Sequence, residues 1–216
     1  MLFRSSEKRL DTFSPATGAH TSNLIPLKYL WMKEMAKDLP DTAEYETVLG
    51  CLDVKDAFLQ VEQEEPILVH IQNQPYVIQK NLPGQRMGAK QWFQHLRKYL
   101  STKLNYSFCS EQPCLARNEE STIIIHVDDI LFVGRKKYWQ NTFLKEMGEK
   151  FTVSSSQLDG IGSSISFLRR KITETSDGLV MTPGTSVEKV VRAFEERFRV
   201  ARSQKIPCSS EIQLED

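Results

Sequence analysis

Two apolar runs, Thr122–Val127 with Ile123-Ile124-Ile125 at its centre and Ile130–Val133, are separated by nothing but Asp128-Asp129. Short continuous apolar runs read as buried strands, and two strands joined by two residues pair antiparallel in a tight hairpin. One Asp at such a tip is ordinary turn chemistry. Two adjacent carboxylates repel, and each discourages ionisation of the other unless a cation lies between them. The hairpin therefore fixes a piece of antiparallel sheet and marks its end as a candidate cation site, with a plain polar tip as the other reading.

The remaining periodicities build an α+β chain around that hairpin. Residues 1–23 are polar, punctuated by Ser14-Pro15 and Thr17-Gly18, and read as irregular. Leu24, Leu27, Leu30, Trp31 and Met35 recur at helical spacing, with Ser22 or Asn23 as N-cap and a stop before Leu39-Pro40. Thr47–Val54 reads as a strand, and Ile67–Ile71 with Tyr76–Gln79 as a hairpin around Gln72-Asn73-Gln74-Pro75. Ala89, Trp92, Phe93, Leu96, Leu100 and Leu104 share one face of an amphipathic helix. Residues 136–150 form a further helical pattern. Ile165–Ile172 and Leu179–Met181 read as strands around Ser176-Asp177-Gly178, and residues 186–201 as a charged amphipathic helix. Strands and helices interleave without a regular βαβ rhythm, which favours α+β over a doubly wound sheet.

A chain of 216 residues with 40% apolar content can bury a real core. Lys+Arg and Asp+Glu each number 28, which excludes a uniformly basic nucleic-acid coat and a strongly acidic tail but not a local patch. Charge is in fact segregated: from Glu34 to Glu65 many acids stand against only Lys37 and Lys55, whereas Asn81 to Lys103 carries Arg86, Lys90, Arg97, Lys98 and Lys103 and no acid. No apolar run approaches the ~18 residues of a membrane span, and the first residues lack the apolar core of a signal peptide. The four cysteines lack zinc spacing and are too few for a disulfide scaffold. The expectation is an intracellular, soluble protein with no membrane partner.

A second acid-bearing segment is Leu52-Asp53-Val54-Lys55-Asp56-Ala57-Phe58. Asp53 closes an apolar strand, so it can reach the tip of a neighbouring strand. If that neighbour is the acidic hairpin, Asp53 and Asp128 supply hard oxygen ligands suited to Mg²⁺. Two such ions clamp the attacking and leaving oxygens of an in-line phosphoryl displacement. Spacing alone does not make the two strands adjacent.

The ordered set of Thr12-Phe13-Ser14-Pro15, Leu52 to Leu59, Leu82-Pro83-Gly84 through Gln91-Trp92, Val127-Asp128-Asp129-Ile130-Leu131, Phe167-Leu168 and Val187-Glu188-Lys189-Val190 resembles the reverse transcriptase domain of copia-type retrotransposons over nearly the whole chain. The resemblance implies a right-hand polymerase: partial fingers and a leading helix at 1–46, a palm (an antiparallel sheet backed by helices) at 47–172, and a connection with the start of a thumb at 173–216. It implies RNA-directed DNA synthesis, in which a primer 3′-hydroxyl attacks the α-phosphate of a deoxynucleotide. Asp53, Asp128 and Asp129 are then catalytic, with Asp53, Asp128 and the Val54 carbonyl holding two Mg²⁺ (or Mn²⁺) and Asp129 in support.

By the same match Lys55, Asp56 and Ala57 line the triphosphate with their N–H groups, and Phe58 sits under the sugar, where its ring excludes a 2′-hydroxyl. Core packing is the alternative for Phe58. Gly84 fits a close backbone approach, and Arg86 and Met87 also face the nucleotide. The family usually has Gln in place of Met87 and Pro in place of Ala89, and an aromatic Tyr where His126 stands, which reads as a packing residue. Lys90, Phe167, Leu168, Arg169, Arg170 and Lys171 fall where template and primer are held, although the family usually has Gly at the position of Arg169. The implied partners are an RNA or DNA template with its primer, dNTPs, and other regions of a polyprotein such as integrase and ribonuclease H, of which this chain reads as a fragment. The implied compartments are the cytoplasm or virus-like particles, with the nucleus as an alternative. A catalytically silent relic that still binds nucleic acid is the competing expectation, and an unrelated two-metal nuclease or cyclase a third.

Overall fold

The computed structural model describes residues 17–39, 45–85 and 87–198. The Thr12–Pro15 segment, Pro40, Arg86 and everything after residue 198 lie outside them. The elements run α1 (Ala19–Ala36), β1 (Thr47–Val54), a 3₁₀ turn (Ala57–Gln60), β2 (Glu62–Ile71), β3 (Gln74–Lys80), α2 (Gly88–Lys103), β4 (Ser107–Phe108), β5 (Leu115–Arg117), β6 (Ser121–His126) and β7 (Asp129–Arg135). Then follow α3 (Lys136–Tyr138), a π turn (Trp139–Phe143), α4 (Leu144–Lys150), β8 (Val153–Gln157), β9 (Ser164–Phe167), β10 (Arg170–Thr175), β11 (Gly178–Pro183) and α5 (Thr185–Phe198). The result is a mixed α/β chain with antiparallel sheets. A six-stranded sheet in the order β4-β5-β6-β7-β1-β8 is accompanied by a three-stranded β11-β10-β9 sheet and the β2–β3 hairpin.

The central strands β1, β6 and β7 are buried on both faces, which is why they read as unbroken apolar runs rather than alternating ones. Alternate residues serve two cores. Val48, Leu52, Val54, Ile123, Ile125, Ile130 and Phe132 pack with Trp92, Leu96 and Leu100 of α2 and with Trp139, Phe143 and Met147. Leu49, Cys51, Ile124, Leu131 and Val133 pack on the other side with Ile25 and Tyr29 of α1 and with Ile165, Phe167 and Ile172 of the smaller sheet. Gly50 sits mid-strand because Trp139 lies against it: a Cβ there would fall 2.7 Å from the indole Cζ2.

Several expectations are corrected. The helix α1 starts at Ala19 with extended Gly18 as its N-cap, so Ser22 and Asn23 lie inside it. Its inward stripe is Ile25, Tyr29 and partly Met32, whereas Leu27 and Trp31, expected on the buried face, are 61% and 60% exposed. Residues 24–32 are apolar on nearly every side, so two stripes compete and packing selects one. The acidic hairpin turns at Val127-Asp128, one residue earlier than expected, which puts Asp129 in β7. Residues 165–172 are not one strand, because Leu168 and Arg169, both with positive φ, turn the chain between β9 and β10. Strands β4, β5 and β8 were not legible in the sequence. No helix among the described residues is long and apolar enough to cross a membrane.

Candidate active site at the acidic hairpin

β1 lies between β7 and β8, and its register places Asp53 directly opposite Asp129 on one side and Ser154 on the other. Directly opposed residues present side chains on one face of a sheet. His126, Asp129, Asp53 and Ser154 therefore form one cross-strand row. The Val54 N–H donates to the Asp128 carbonyl at 3.0 Å, closing the ladder against the hairpin tip. The adjacency that spacing could not supply is thus present, and the three carboxylates meet at one end of the sheet.

Asp53, Asp128 and Asp129 are all half-buried. Burial first, and then the charges of Asp128 and Asp53, push the Asp129 carboxyl up to about 6. Burial and then the charges of Asp129 and Asp53 likewise push the neighbouring Cys51 thiol up to about 12. Among the described residues no lysine or arginine forms an ion pair with any of the three acids. Among the described residues, Ser154 Oγ donates to Asp53 Oδ2 at 3.4 Å. This is concentrated hard-oxygen negative charge, a donor set whose chemistry suits Mg²⁺. Among the described residues no group of three or more His, Cys, Asp or Glu side chains is arranged to hold a metal by itself.

The tip is held in a strained shape. Val127 has φ 57° and is the first of the two central residues, alone in having positive φ, the pattern of a type II′ turn that glycine usually fills. A β-branched residue there costs roughly 1–3 kcal/mol and persists only where its surroundings over-determine it. Two bonds do so: the Trp92 indole N–H donates to the Val127 carbonyl at 2.7 Å, and Val54 holds the Asp128 carbonyl. Trp92 was expected only as core, since apolar periodicity carries no sign of where an indole N–H points. His126 Nδ1 accepts from the Thr17 N–H at 3.4 Å, tying the start of α1 to the acidic row.

The expected nucleotide-binding residues are distributed unevenly. Lys55 and Asp56 form an exposed turn straight after β1, but the Lys55 N–H is committed to the Thr152 carbonyl and is not available to a triphosphate. Ala57 is buried. Phe58 is half-buried, with its ring against the larger core beside Gly88 at the start of α2. Gly84 has φ 92° in a Leu82–Gln85 turn with Pro83 before it, the type II arrangement, and nothing lies within 4 Å of where its Cβ would stand. The positive φ of this turn is what calls for glycine at position 84. Gln85 braces the loop, its Oε1 accepting from the Leu82 N–H and from Gln63 Nε2. Met87 caps α2, and Lys90 lies partly buried in its first turn.

The primer-side cluster does not form one surface. Phe167 is 3% exposed and belongs to the core, and Leu168 packs partly against it. Neither is free to meet a strand. Arg169 is exposed in the turn, while Arg170 and Lys171 are successive strand residues and face opposite sides of the small sheet. A cleft lined by Tyr29, Lys33, Glu46, Thr47, Lys136 and Glu174 opens at the far end of β1, and none of the three acids lines it.

No protein-family profile matches the chain. Among solved structures it is similar to apo telomerase from Candida tropicalis truncated from the C-terminal domain, with a TM-score of 0.45 and 9% identity. The match covers 78% of this chain and 41% of that one, so the chain spans well under half of that structure.

Proposed function

We propose that this chain is the palm-centred core of an RNA-directed DNA polymerase of the copia-type retrotransposon kind, adding deoxynucleotides to a primer 3′ end. The observation that carries the reading is the register: Asp53 opposite Asp129, with Asp128 held by the Val54 N–H at the same sheet end. Asp53 and Asp128 are the residues that would hold Mg²⁺, for which one or two carboxylates completed by substrate phosphates and water are sufficient. Bound there, the metal supplies charge neutralisation at the phosphate being transferred. The rigid tip, fixed by Trp92 and Val54, holds the carboxylates in place before substrate arrives, which is where most of the catalysis of phosphoryl transfer lies. The 3′-oxygen forms the new bond to the α-phosphorus and pyrophosphate leaves. Phe58, half-buried beside the acidic end of β1, is assigned to sugar discrimination.

Met87, which offers no hydrogen bond where the resembled family usually has Gln, favours a second reading, a silent relic that binds nucleic acid without turnover. Mg²⁺-dependent incorporation on a primed RNA template separates the two. The polymerase reading expects incorporation that vanishes in Asp128→Ala while RNA affinity is kept or modestly raised by the lost negative charge. Incorporation surviving in Asp128→Ala removes the site assignment, and RNA binding without any incorporation in the unsubstituted chain selects the relic. In an active chain, Phe58→Ala is expected to raise ribonucleotide use relative to deoxynucleotide use.

A further inference from the structure

Two helices each present an apolar stripe to solvent. On α1, Leu24, Leu27, Trp31 and Met35 recur at steps of three and four residues and are 48–61% exposed. On α5, Val187, Val190, Val191 and Phe194 follow the same spacing and are 40–69% exposed. Single exposed hydrophobic side chains need no explanation, but contiguous stripes at helical spacing mark interaction surfaces. One chain does not bring the two together. Leu30 of α1 reaches toward Gly178 at the β10–β11 turn, whereas Lys28 donates to Thr122 Oγ1 of β6. At about 100° per residue the α1 stripe falls on the Lys28 side. α5 leaves from the small sheet on the other side, where the Gly184 N–H donates to the Arg169 carbonyl at 2.9 Å.

Charge and area decide what fits these stripes. Along α1, Lys28 borders the stripe on one side and Glu34, which also pairs with Lys37, on the other. Along α5, Glu195 borders it on one side and Arg197 on the other. Antiparallel pairing of α1 with α5 sets Lys28 beside Glu195 and Glu34 beside Arg197, opposite charges on both borders. Parallel pairing of the same two helices sets Lys28 beside Arg197. Antiparallel self-pairing of either helix sets like charges together, and parallel self-pairing covers only one of the two stripes. The eight side chains together expose on the order of 800 Å² per chain, the share each partner gives to a standard interface, whereas one stripe alone offers about half. We infer that two copies of this chain pair about a two-fold axis, α1 of each receiving α5 of the other in antiparallel contact. Such an exchange is self-complementary, uses each stripe once and closes at the dimer. It does not depend on the polymerase reading.

Sedimentation equilibrium of the full chain tests this, with a dimer of roughly micromolar Kd expected. Leu27→Glu and Val190→Glu, both at exposed positions, should each weaken it more than about 100-fold at unchanged circular dichroism, because each fault is repeated at both contacts. Mixing the two variants should recover dimer. The mixed pair keeps one intact contact, between α1 of the Val190→Glu chain and α5 of the Leu27→Glu chain, and a contact already broken by one glutamate loses little more to a second. The mixture should therefore associate at least about tenfold more tightly than either variant alone. Arg197→Glu should weaken the dimer about fivefold, and Glu34→Arg added to the same chain should restore it. A monomer at every concentration overturns the inference, and so does a dimer that survives both glutamate variants. Loss in only one of them, the mark of a single helix pairing with itself, overturns it too, as does a mixture no tighter than its parts.

Discussion

Asp129 stands across from Asp53 and next to Asp128, and its carboxyl holds a proton up to about pH 6. In the unfolded chain the same group ionises near 4. Between those values the folded state binds more protons than the unfolded one, so stability falls as pH rises from roughly 4 to about 6 and the penalty then stays constant. Asp129→Asn removes the penalty. In metal-free buffer the variant should be more stable than the parent by about 1 kcal/mol at pH 8, after allowance for solvent screening, and no more stable below about pH 4. Urea unfolding at the two pH values checks this, and an equal gain at both would show that the effect is not electrostatic. The residue types were plain in the sequence, because two adjacent acids between apolar strands are poorly explained by folding. Their partners were not: nothing local marks Ser154, the Trp92 indole or the Thr152 carbonyl as neighbours of the acidic segments.

Elements with strong one-sided periodicity were legible, and those without it were not. The inward stripe of α2 is the one its spacing predicts: Trp92, Phe93, Leu96 and Leu100 are all buried. The polar strand β8, Val153-Ser-Ser-Ser-Gln157, offers no pattern because it lies at the sheet edge and three of its five residues are exposed. The β9–β10 turn was missed for a different reason. Leu168 and Arg169 adopt φ 50° and 60°, the pair of positive values of a type I′ turn, for which Asn-Gly is the usual signal. An exposed arginine in that conformation costs about 1 kcal/mol. Arg169→Gly is therefore expected to raise stability by up to about 1 kcal/mol, read as a higher denaturation midpoint at unchanged m-value, since no core contact is lost. A lower midpoint would mean that the arginine side chain contributes more than its backbone strain costs.

On the scale of the molecule, the small β9–β11 sheet is joined to the large one partly through a single buried acid. Glu174 of β10 is 4% exposed and receives the Tyr29 hydroxyl and the Lys33 ammonium, both from α1, which itself lies on β1, β6 and β7. Glu174→Ala leaves the buried tyrosine hydroxyl unpaired and opens a cavity at that seam. A loss of about 2 kcal/mol is expected, with hydrogen exchange rising first in β10 and β11. Uniform acceleration throughout the chain would instead mark the two sheets as one cooperative unit. The sequence by itself determined the antiparallel hairpin, the α+β interleaving and the identity of the acids, because those follow from local periodicity and from the cost of adjacent like charges. Only the tertiary structure decided which side of α1 is buried, that Phe167 belongs to the core, and that Asp53 stands beside the hairpin. Each of those depends on strand register and on competition between alternative apolar surfaces, which residues far apart in the chain settle together.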